Sequence, residues 1–555
     1  MVGVSNAGAE FDRLVAEYYQ AWFRYHPEAA LDVGIQGFAD QLTPYGDDDI
    51  GALLGLHEKL LDSLETLNTQ DLDPDRALDY RILRGAALIE LNGLLQADWR
   101  RRDPAKFLPV HAIYQLTVRP LANFSEALQA RLEQIPNYLR SARPELAADP
   151  AQIPAIWAES AIQEARHGAH YLRALPHHPR VHQDAGHAGR IPGLVDMAAH
   201  SLEEFAHFIE SELLPRARGD FACGRQQFER ILRYRHFLDA DADQLHAYGE
   251  RLVQETRAAM REECRRVRGD EDIAALITEI GQSHPDVQEL LGEYRNVMRQ
   301  AHVFVEHRDL VTLPAHQKLQ VVETPEFLRH QIPFAAYMAP VPDDPDQCGY
   351  YYVTPAQSDE MLREHSHSGL MHTCVHEAWP GHHLQFVLAN QCPESRTLPR
   401  LLNPSATLYE GWALYSEHLM REQGFLDRPE QGFILLRDRL WRALRILLDV
   451  ELQVRGLPVE QAIQRMQEVL GFPFEQAKAD IIWYTRAPGV PMSYATGWAM
   501  LLAARSRLSD NRPDFLLRSF HDQVLASGSI ALPLVLERQF GQALASQVCG
   551  HVMNS

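Results

Sequence analysis

Five residues between positions 376 and 410 have the types and spacing of a metal-dependent hydrolase site. The segment His376-Glu377-Ala378-Trp379-Pro380-Gly381-His382-His383 is followed by Glu410, 28 residues after His382. Two imidazoles and one carboxylate could bind a zinc ion and leave a fourth position open for water. The uncoordinated carboxylate of Glu377 could accept a proton from that water. The residues therefore predict a hydrolase with one Zn²⁺, held by His376, His382 and Glu410.

The spacing of the histidines requires a break in helical geometry. In a regular helix, the six-residue step from His376 to His382 places the two side chains about 120° apart. Pro380 removes a backbone donor and Gly381 tolerates unusual dihedral angles, so we predict a short bulge that turns His382 back onto the face of His376. His383 returns to that face about 10 Å further along the axis. It is the alternative ligand, or it faces the substrate.

The third ligand is expected on the next helix. Asn403-Pro404 can begin this helix with a capping Asn and a Pro in the first turn. Glu410 and Glu417 are seven residues apart and share a helix face. We predict Glu410 as the ligand because Gly411 lets another backbone approach closely. Glu417 then orients the site or pairs with a cation, unless it forms a plain surface salt bridge.

The spacing of apolar residues predicts that helices position these side chains. Apolar residues recur every three or four positions over residues 11–22 and 53–64, as in amphipathic helices. A similar pattern over residues 240–268 predicts a long linking helix. We predict a mainly α fold with a helical N-terminal lobe, residues 1–235, and a catalytic lobe, residues 236–555.

Two short segments predict a small β-sheet near the site. Leu319–Pro325 and Gly349–Val353 are β-branched or aromatic and are bounded by Pro or Gly. The second segment precedes the helix that carries His376. It is either an edge strand that holds an extended peptide through main-chain hydrogen bonds, or a sheet edge without a ligand.

Composition restricts the possible partners and location. The formal net charge of −22 argues against nucleic acid or an anionic membrane as partner. The N-terminus lacks the basic and apolar segments of a secretory signal, and no apolar run is long enough to span a membrane. The six cysteines are scattered without a C-x-x-C pair, which suits reduced thiols. We therefore predict a cytoplasmic protein. The chemistry of the predicted zinc site implies that its substrate is a peptide or a small amide.

The chain resembles the domain-of-unknown-function 885 family, whose motif is close to H-E-A-x-P-G-H-H-x-Q and matches His376–Gln385. Further similarity lies in Tyr409–Glu417, Arg445–Asp449, Pro488-Gly489, Ser493-Tyr494 and Gly497. That family resembles the gluzincin peptidases, which carry Gly-His at the end of a shorter motif. The resemblance implies a large, two-lobed helical metallopeptidase-like fold with zinc between the lobes, and it favours His382 as the ligand.

The resemblance also implies roles for residues outside the motif. Tyr494 could donate a hydrogen bond to the oxyanion, or it is a buried aromatic residue with a satisfied hydroxyl. Arg445 and Asp449 form either a supporting ion pair or a simple helix pair. Gln453 and Val490 depart from the residues common in relatives, His and Gln. These departures keep open the alternative of a zinc-binding protein without turnover. Hydrolysis of a non-peptide amide or conjugate is a second alternative, because the same zinc–water chemistry serves both kinds of substrate.

Overall fold

The structure, a computed structural model, describes residues 6–182, 189–329, 332, 334–511 and 513–554. The chain divides into two compact units. Unit 1 comprises Met1–Phe221 and Pro325–His330, and unit 2 comprises Ala222–Thr324 and Gln331–Ser555. All the residues singled out above as candidates for chemistry belong to unit 2. The predicted lobe boundary after residue 235 stays a prediction.

Unit 1 is built from helices in its described part. The apolar patterns predicted near residues 11 and 53 lie in its first and third helices, with Phe11 and Leu53 buried, so the helical prediction is confirmed here. The helices are α1 Asn6–Trp22, α2 Pro27–Asp32, α3 Asp47–Thr66, α4 Pro74–Gln96, α5 Val110–Val118, α6 Phe124–Ala148, α7 Ala155–Ala174, α8 Pro179–His182 and α9 Ile191–Phe208.

Unit 2 combines helices with one small sheet. Among the described residues, no helix has both the length and the apolar character needed to cross a bilayer. The helices are α10 Gly224–Tyr234, α11 Ala242–Arg268, α12 Ile273–Gly281, α13 Leu290–His307, α14 Asp359–Arg363, α15 His367–Glu377, α16 His382–Gln391, α17 Leu398–Leu402, α18 Ala406–Glu422, α19 Pro429–Val454, α20 Val459–Leu470, α21 Phe474–Arg486, α22 Ser493–Asn511, α23 Leu517–Leu525, α24 Leu532–Phe540 and α25 Gln542–Asn554.

The long helix predicted near residues 240–268 is α11, and it packs along α19 inside unit 2. Asp241 caps its first turn by accepting a hydrogen bond from the backbone N–H of Gln244. One face of α11 is buried, and a Cβ at Gly249 would lie 2.9 Å from side-chain atoms of Ile446 and Leu447. The small residue at this position therefore lets α11 approach α19, the helix that forms one wall of the site.

The sheet has three strands among the described residues, β1 Lys318–Glu323, β2 Ala335–Met338 and β3 Cys348–Val353, in the order β1-β3-β2. Strand β3 pairs with β1 in parallel and with β2 in antiparallel orientation. The two predicted strands are confirmed, but the prediction that the second of them forms an edge is wrong. Strand β3 is central because β2, which the sequence did not reveal, covers its other side.

A glycine pair sets the distance between α18 and α22. A Cβ at Gly411 would lie 2.6 Å from the Cα of Gly497, and a Cβ at Gly497 would lie 2.0 Å from the carbonyl oxygen of Thr407. Both distances are shorter than real Cβ contacts, so each helix needs glycine where it meets the other. The expectation that Gly411 admits a neighbouring backbone is confirmed. This crossing brings the first turn of α22 beside the residues predicted to hold the metal.

Replacing Gly497 with Ala should therefore lower the free energy of unfolding by about 3 kcal/mol, because the added methyl group collides with backbone atoms that cannot rotate away. Urea denaturation measures this loss. Gly292→Ala in α13 is the matched control, since a Cβ there would meet no atom within 4 Å, and it should be neutral or stabilise the protein by up to about 1 kcal/mol. Equal stability of the two variants would contradict the close helix crossing.

Candidate metal centre

The two predicted histidine ligands lie on either side of a helix break. Helix α15 ends at Glu377 and α16 begins at His382, so the predicted bulge inside one helix is wrong: the chain makes a turn between two helices. The backbone N–H of Gly381 donates to the carbonyl of Val375 over 3.1 Å. A Cβ at Gly381 would lie 1.8 Å from the carbonyl oxygen of His376, so glycine is needed for a turn this tight.

The third predicted ligand, Glu410, lies on α18. This helix begins at Ala406 after Ser405, two residues later than Asn403-Pro404 predicted. The side-chain amide of Asn403 donates to the carbonyl of Pro399 over 2.8 Å instead of capping α18. The side chain of Trp412, also on α18, donates to the carbonyl of Pro380 over 2.7 Å. That hydrogen bond ties α18 to the turn between the two histidines.

One side-chain atom each from His376, His382 and Glu410 lies within 4.8 Å of the others, in an arrangement that could hold a metal ion. Oε2 of Glu410 lies 3.2 Å from Nε2 of His382 and 3.5 Å from Nε2 of His376. Atoms bound 2.0–2.1 Å from one tetrahedral ion are about 3.3 Å apart. Oε2 is buried and has no hydrogen-bond partner of good geometry among the described residues, so the three side chains fit a shared cation.

The charges of this group depend on one another. Burial lowers the pKa of His376, but the carboxylates of Glu410 and Glu417 outweigh burial and raise it to about 10. Burial raises the pKa of Glu410, but the charges of His382 and His376 hold it well below its usual range. A cation bound by these atoms must displace the imidazole protons, so its affinity should fall as the pH is lowered.

Glu417 holds the ring of His376 in place. Nδ1 of His376 lies 2.7 Å from Oε1 of Glu417, which leaves Nε2 directed at Glu410. Oε2 of the same carboxylate lies 3.7 Å from Nδ1 of His372, whose Nε2 donates to the carbonyl of Gln431 over 3.1 Å. Of the roles predicted for Glu417, orientation of the site fits this geometry. His372 was not predicted from the sequence, although its position four residues before His376 places it on the same helix face.

Glu377, the predicted proton acceptor, faces a cavity of about 520 Å³ that it lines together with His376 and Glu417. Burial raises the pKa of its carboxyl, against the nearby imidazoles of His382 and His376, which lower it. A carboxylate that is partly desolvated becomes a stronger base at neutral pH. Glu377 is therefore placed beside the ligand group and faces this cavity.

His383 lies apart from the ligand group. Its ring is fully buried, and Nδ1 lies 3.0 Å from the hydroxyl of Tyr337 on strand β2. A Cβ at Gly349 would lie 2.9 Å from the same nitrogen, so the ring fills the space beside the sheet. Burial lowers the pKa of His383 to about 3, which keeps the ring neutral. The geometry therefore favours His382 over His383 as the ligand.

Tyr494 lies in the first turn of α22, next to Glu410. Burial, the charge of Glu410 and a hydrogen bond to that carboxylate raise the pKa of Tyr494 well above its usual value. The guanidinium carbon of Arg445 lies 4.5 Å from the centre of the Tyr494 ring. The hydroxyl of Tyr494 therefore keeps its proton near Glu410, at the rim of the ligand group.

Arg445 and Asp449 do not form the predicted ion pair. Nε of Arg445 donates to the hydroxyl of Tyr484 over 2.7 Å, while the carboxylate of Asp449 accepts hydrogen bonds from the backbone N–H groups of Gly489 and Met492. The two side chains diverge because each contacts a different part of the chain. Asp449 therefore secures the turn that precedes α22, and Arg445 supports the aromatic residues beside Tyr494.

Gln453, one of the two departures from the pattern of relatives, is fully buried. Its amide donates to the carbonyl of Tyr484 over 2.9 Å and accepts from the backbone N–H of Cys223 over 3.0 Å. Both ends of the amide are thus engaged with backbone groups. Gln453 acts as a structural connection and is not directed at the cavity beside Glu377.

Comparison with known proteins places the chain in a family. A family model described as "Bacterial protein of unknown function (DUF885)" matches residues 27–539, so the chain belongs to this family. No curated protein matches the chain. The family confirms the resemblance inferred from the motif around His376, but its description assigns no activity.

Solved structures show the same mainly helical fold. A "putative lipoprotein of unknown function" from Shewanella oneidensis is 22% identical, with a TM-score of 0.77 over 95% of this chain and 99% of that chain. A "putative lipoprotein" from Colwellia psychrerythraea is 19% identical, with a TM-score of 0.77 over 98% of this chain and 99% of that chain. At these identities the similarity shows the fold alone.

Proposed function

We propose that this protein is a zinc-dependent hydrolase that cleaves peptide bonds. The proposal rests on one observation: ligand atoms of His376, His382 and Glu410 converge, and Glu377 lies beside them in a cavity. Two imidazoles and one carboxylate are a ligand set of catalytic zinc sites. One bound zinc ion would polarise the scissile carbonyl and lower the pKa of the attacking water.

The chain supplies the acid–base chemistry. Glu377 accepts a proton from the attacking water and passes it to the leaving amine, a role for which its desolvated carboxylate is suited. Tyr494 donates a hydrogen bond to the carbonyl oxygen as negative charge develops there. Burial and the nearby carboxylate of Glu410 keep this hydroxyl protonated.

The sheet favours a peptide over other amides. Strand β2 is an outer strand, and its residues Ala335 and Ala336 line the cavity that contains Glu377. An extended peptide can add to such a strand through main-chain hydrogen bonds, which a small amide does not offer. The peptide-binding role that the sequence analysis gave to Gly349–Val353 is therefore better assigned to β2.

Removal of the metal tests the proposal. Purified protein should contain about one zinc per chain and cleave members of a peptide library; treatment with a chelator should abolish cleavage, and zinc should restore it. Mass spectrometry of the products and metal analysis measure both effects, and circular dichroism confirms that the treated protein stays folded. Zinc binding without cleavage of any peptide or other amide would favour a binding protein, while cleavage unaffected by metal removal would end the proposal.

The cellular location is a separate part of the proposal. All six cysteines are free, which suits the predicted cytoplasmic location. The two structurally similar proteins are described as lipoproteins, however, and a lipid-anchored relative would act outside the cytoplasm. Fractionation of cells that produce the full-length natural protein, followed by immunoblotting, distinguishes the two locations.

A further inference from the structure

The cavity beside Glu377 has a wall of mixed character. Aromatic and aliphatic side chains cover much of it. They come from α12, from α19, from the segment α20–α21 and from the chain before β2. They include Ile277, Phe334, Ile434, Trp441, Phe472 and Trp483. Nine acidic and basic side chains also line the cavity. Three are guanidinium groups, Arg363, Arg437 and Arg442, and six are carboxylates, Glu360, Glu364, Glu377, Glu417, Asp438 and Asp480.

Arg442 differs from the other buried arginine on the same helix. Arg445 donates from Nε to the hydroxyl of Tyr484. Nε and Nη1 of Arg442 are buried, and neither has a hydrogen-bond partner among the described residues. The nearest carboxylate oxygen, on Asp438, lies 3.5 Å from Nη1. Charged donors left without hydrogen bonds carry a large desolvation penalty, which a ligand with suitable acceptors removes.

Packing and charge place Arg442 close to the proposed site of chemistry. Its guanidinium carbon lies 4.1 Å from the centre of the Trp441 ring, so the ring limits the positions that the head group can take. Burial has the largest effect on the pKa values of Glu377 and Glu417, and Arg442 is among the charges that lower both. Arg442 therefore lies within electrostatic reach of the predicted proton acceptor.

We propose that Arg442 binds a carboxylate group of the substrate in this cavity. The inference rests on the proposed function and names a feature of its substrates. A guanidinium binds a carboxylate through two parallel N–H···O hydrogen bonds, and Arg442 lines the cavity with two donors that lack a hydrogen bond to the described residues. The aromatic and aliphatic wall accommodates an apolar group attached to that carboxylate.

The remaining charges favour a carboxylate over a phosphate. Six carboxylates against three guanidinium groups give the wall an excess of negative charge. This field disfavours a dianion more strongly than a monoanion. The carboxylate could be the C-terminus of a peptide or an acidic side chain, and both carry the same group.

Binding of a small probe tests the anion site without turnover. Phenylacetate and phenylacetamide share the aromatic ring and differ in charge, and calorimetry measures their affinity for the full chain. Wild type should bind phenylacetate more tightly, and Arg442→Gln should weaken that binding about 30-fold or more while leaving phenylacetamide unchanged. Arg442→Lys should give an intermediate loss because it retains charge without the planar donor geometry.

Arg437→Gln is the matched control. Arg437 lines the same cavity from the same helix, but its side chain is 20% exposed and, within the described part of the chain, none of its donors is buried without a hydrogen bond, so its variant should bind phenylacetate like wild type. Thermal denaturation shows whether each variant is folded. Equal phenylacetate affinity in wild type, Arg442→Gln and Arg442→Lys would overturn the proposal, because the carboxylate would then bind elsewhere, for example to the metal. Failure of wild type to bind phenylacetate would overturn it as well.

Peptides identify the source of the carboxylate. A cleaved library peptide is compared with its C-terminal amide and with a version in which each acidic side chain is replaced by its amide. If only the C-terminal amide is cleaved more slowly, and Arg442→Gln removes this difference, Arg442 binds the terminal carboxylate. If only the peptide with amidated side chains behaves in this way, Arg442 binds an acidic side chain. If no peptide is cleaved but phenylacetate binding still requires Arg442, the anion site stands and the peptidase function fails.

Discussion

Replacement of Glu377 with Gln should lower the rate of hydrolysis about 10²- to 10⁴-fold while the protein keeps its metal. The amide has nearly the same shape as the carboxylate but cannot accept the proton of the attacking water. Glu377 is not one of the three side chains that converge on the proposed cation, so metal content should remain at the wild-type level. Steady-state kinetics on a cleaved peptide, combined with metal analysis, measures both quantities.

Glu360→Gln is the control for this experiment. Glu360 lines the same cavity but is exposed and is not part of the ligand group. The same chemical change there removes one negative charge from the wall and should leave kcat within a few-fold of wild type. Loss of metal from Glu377→Gln would instead show that this carboxylate serves as a ligand, and full activity would exclude it as the proton acceptor.

The sequence was sufficient to predict which three side chains converge, because most of the relevant signals are local. His376, Glu377 and His382 lie within seven residues, and only a break between two of them makes their spacing suitable for one cation. Pro380 and Gly381 indicated that break. The structure places it as a turn between two helices because contacts from the preceding helix, and from Trp412 on α18, hold the turn.

Features that depend on distant contacts could not be predicted in the same way. Strand β2 is only four residues long and consists of Ala335-Ala336-Tyr337-Met338, a composition that carries a weak β signal. Its pairing with β3 makes it a strand, and it also changes which strand lies at the edge. The sequence therefore predicted a strand at the edge of the sheet but assigned the edge to the wrong segment.

The pair Arg445 and Asp449 illustrates the same limit. Their spacing of four residues on one helix favours an ion pair, yet in the structure each side chain contacts a different element. The carboxylate of Asp449 accepts two backbone hydrogen bonds from the turn before α22, and Arg445 lies between aromatic rings. Local spacing makes an ion pair geometrically possible, but tertiary contacts with better geometry displace it.

A comparison of His382→Ala with His383→Ala should show that only the first variant loses the metal. Nε2 of His382 lies 3.2 Å from Oε2 of Glu410 in the ligand group, so its removal leaves one imidazole and one carboxylate. The affinity should fall by more than about 100-fold, since even partners behind the ligands contribute 10- to 100-fold. His383 faces Tyr337 beside the sheet, so its variant should bind metal like wild type.

The two variants should also differ in which property they lose, stability or metal affinity, and this difference identifies the ligand. His383→Ala removes a fully buried ring and should lower the free energy of unfolding by about 2–4 kcal/mol, whereas His382→Ala removes a member of the ligand group itself. Calorimetric titration with zinc on folded protein separates lost affinity from lost stability. Metal loss from folded His383→Ala with retention in His382→Ala would reverse the ligand assignment and require a different geometry for the turn at Gly381.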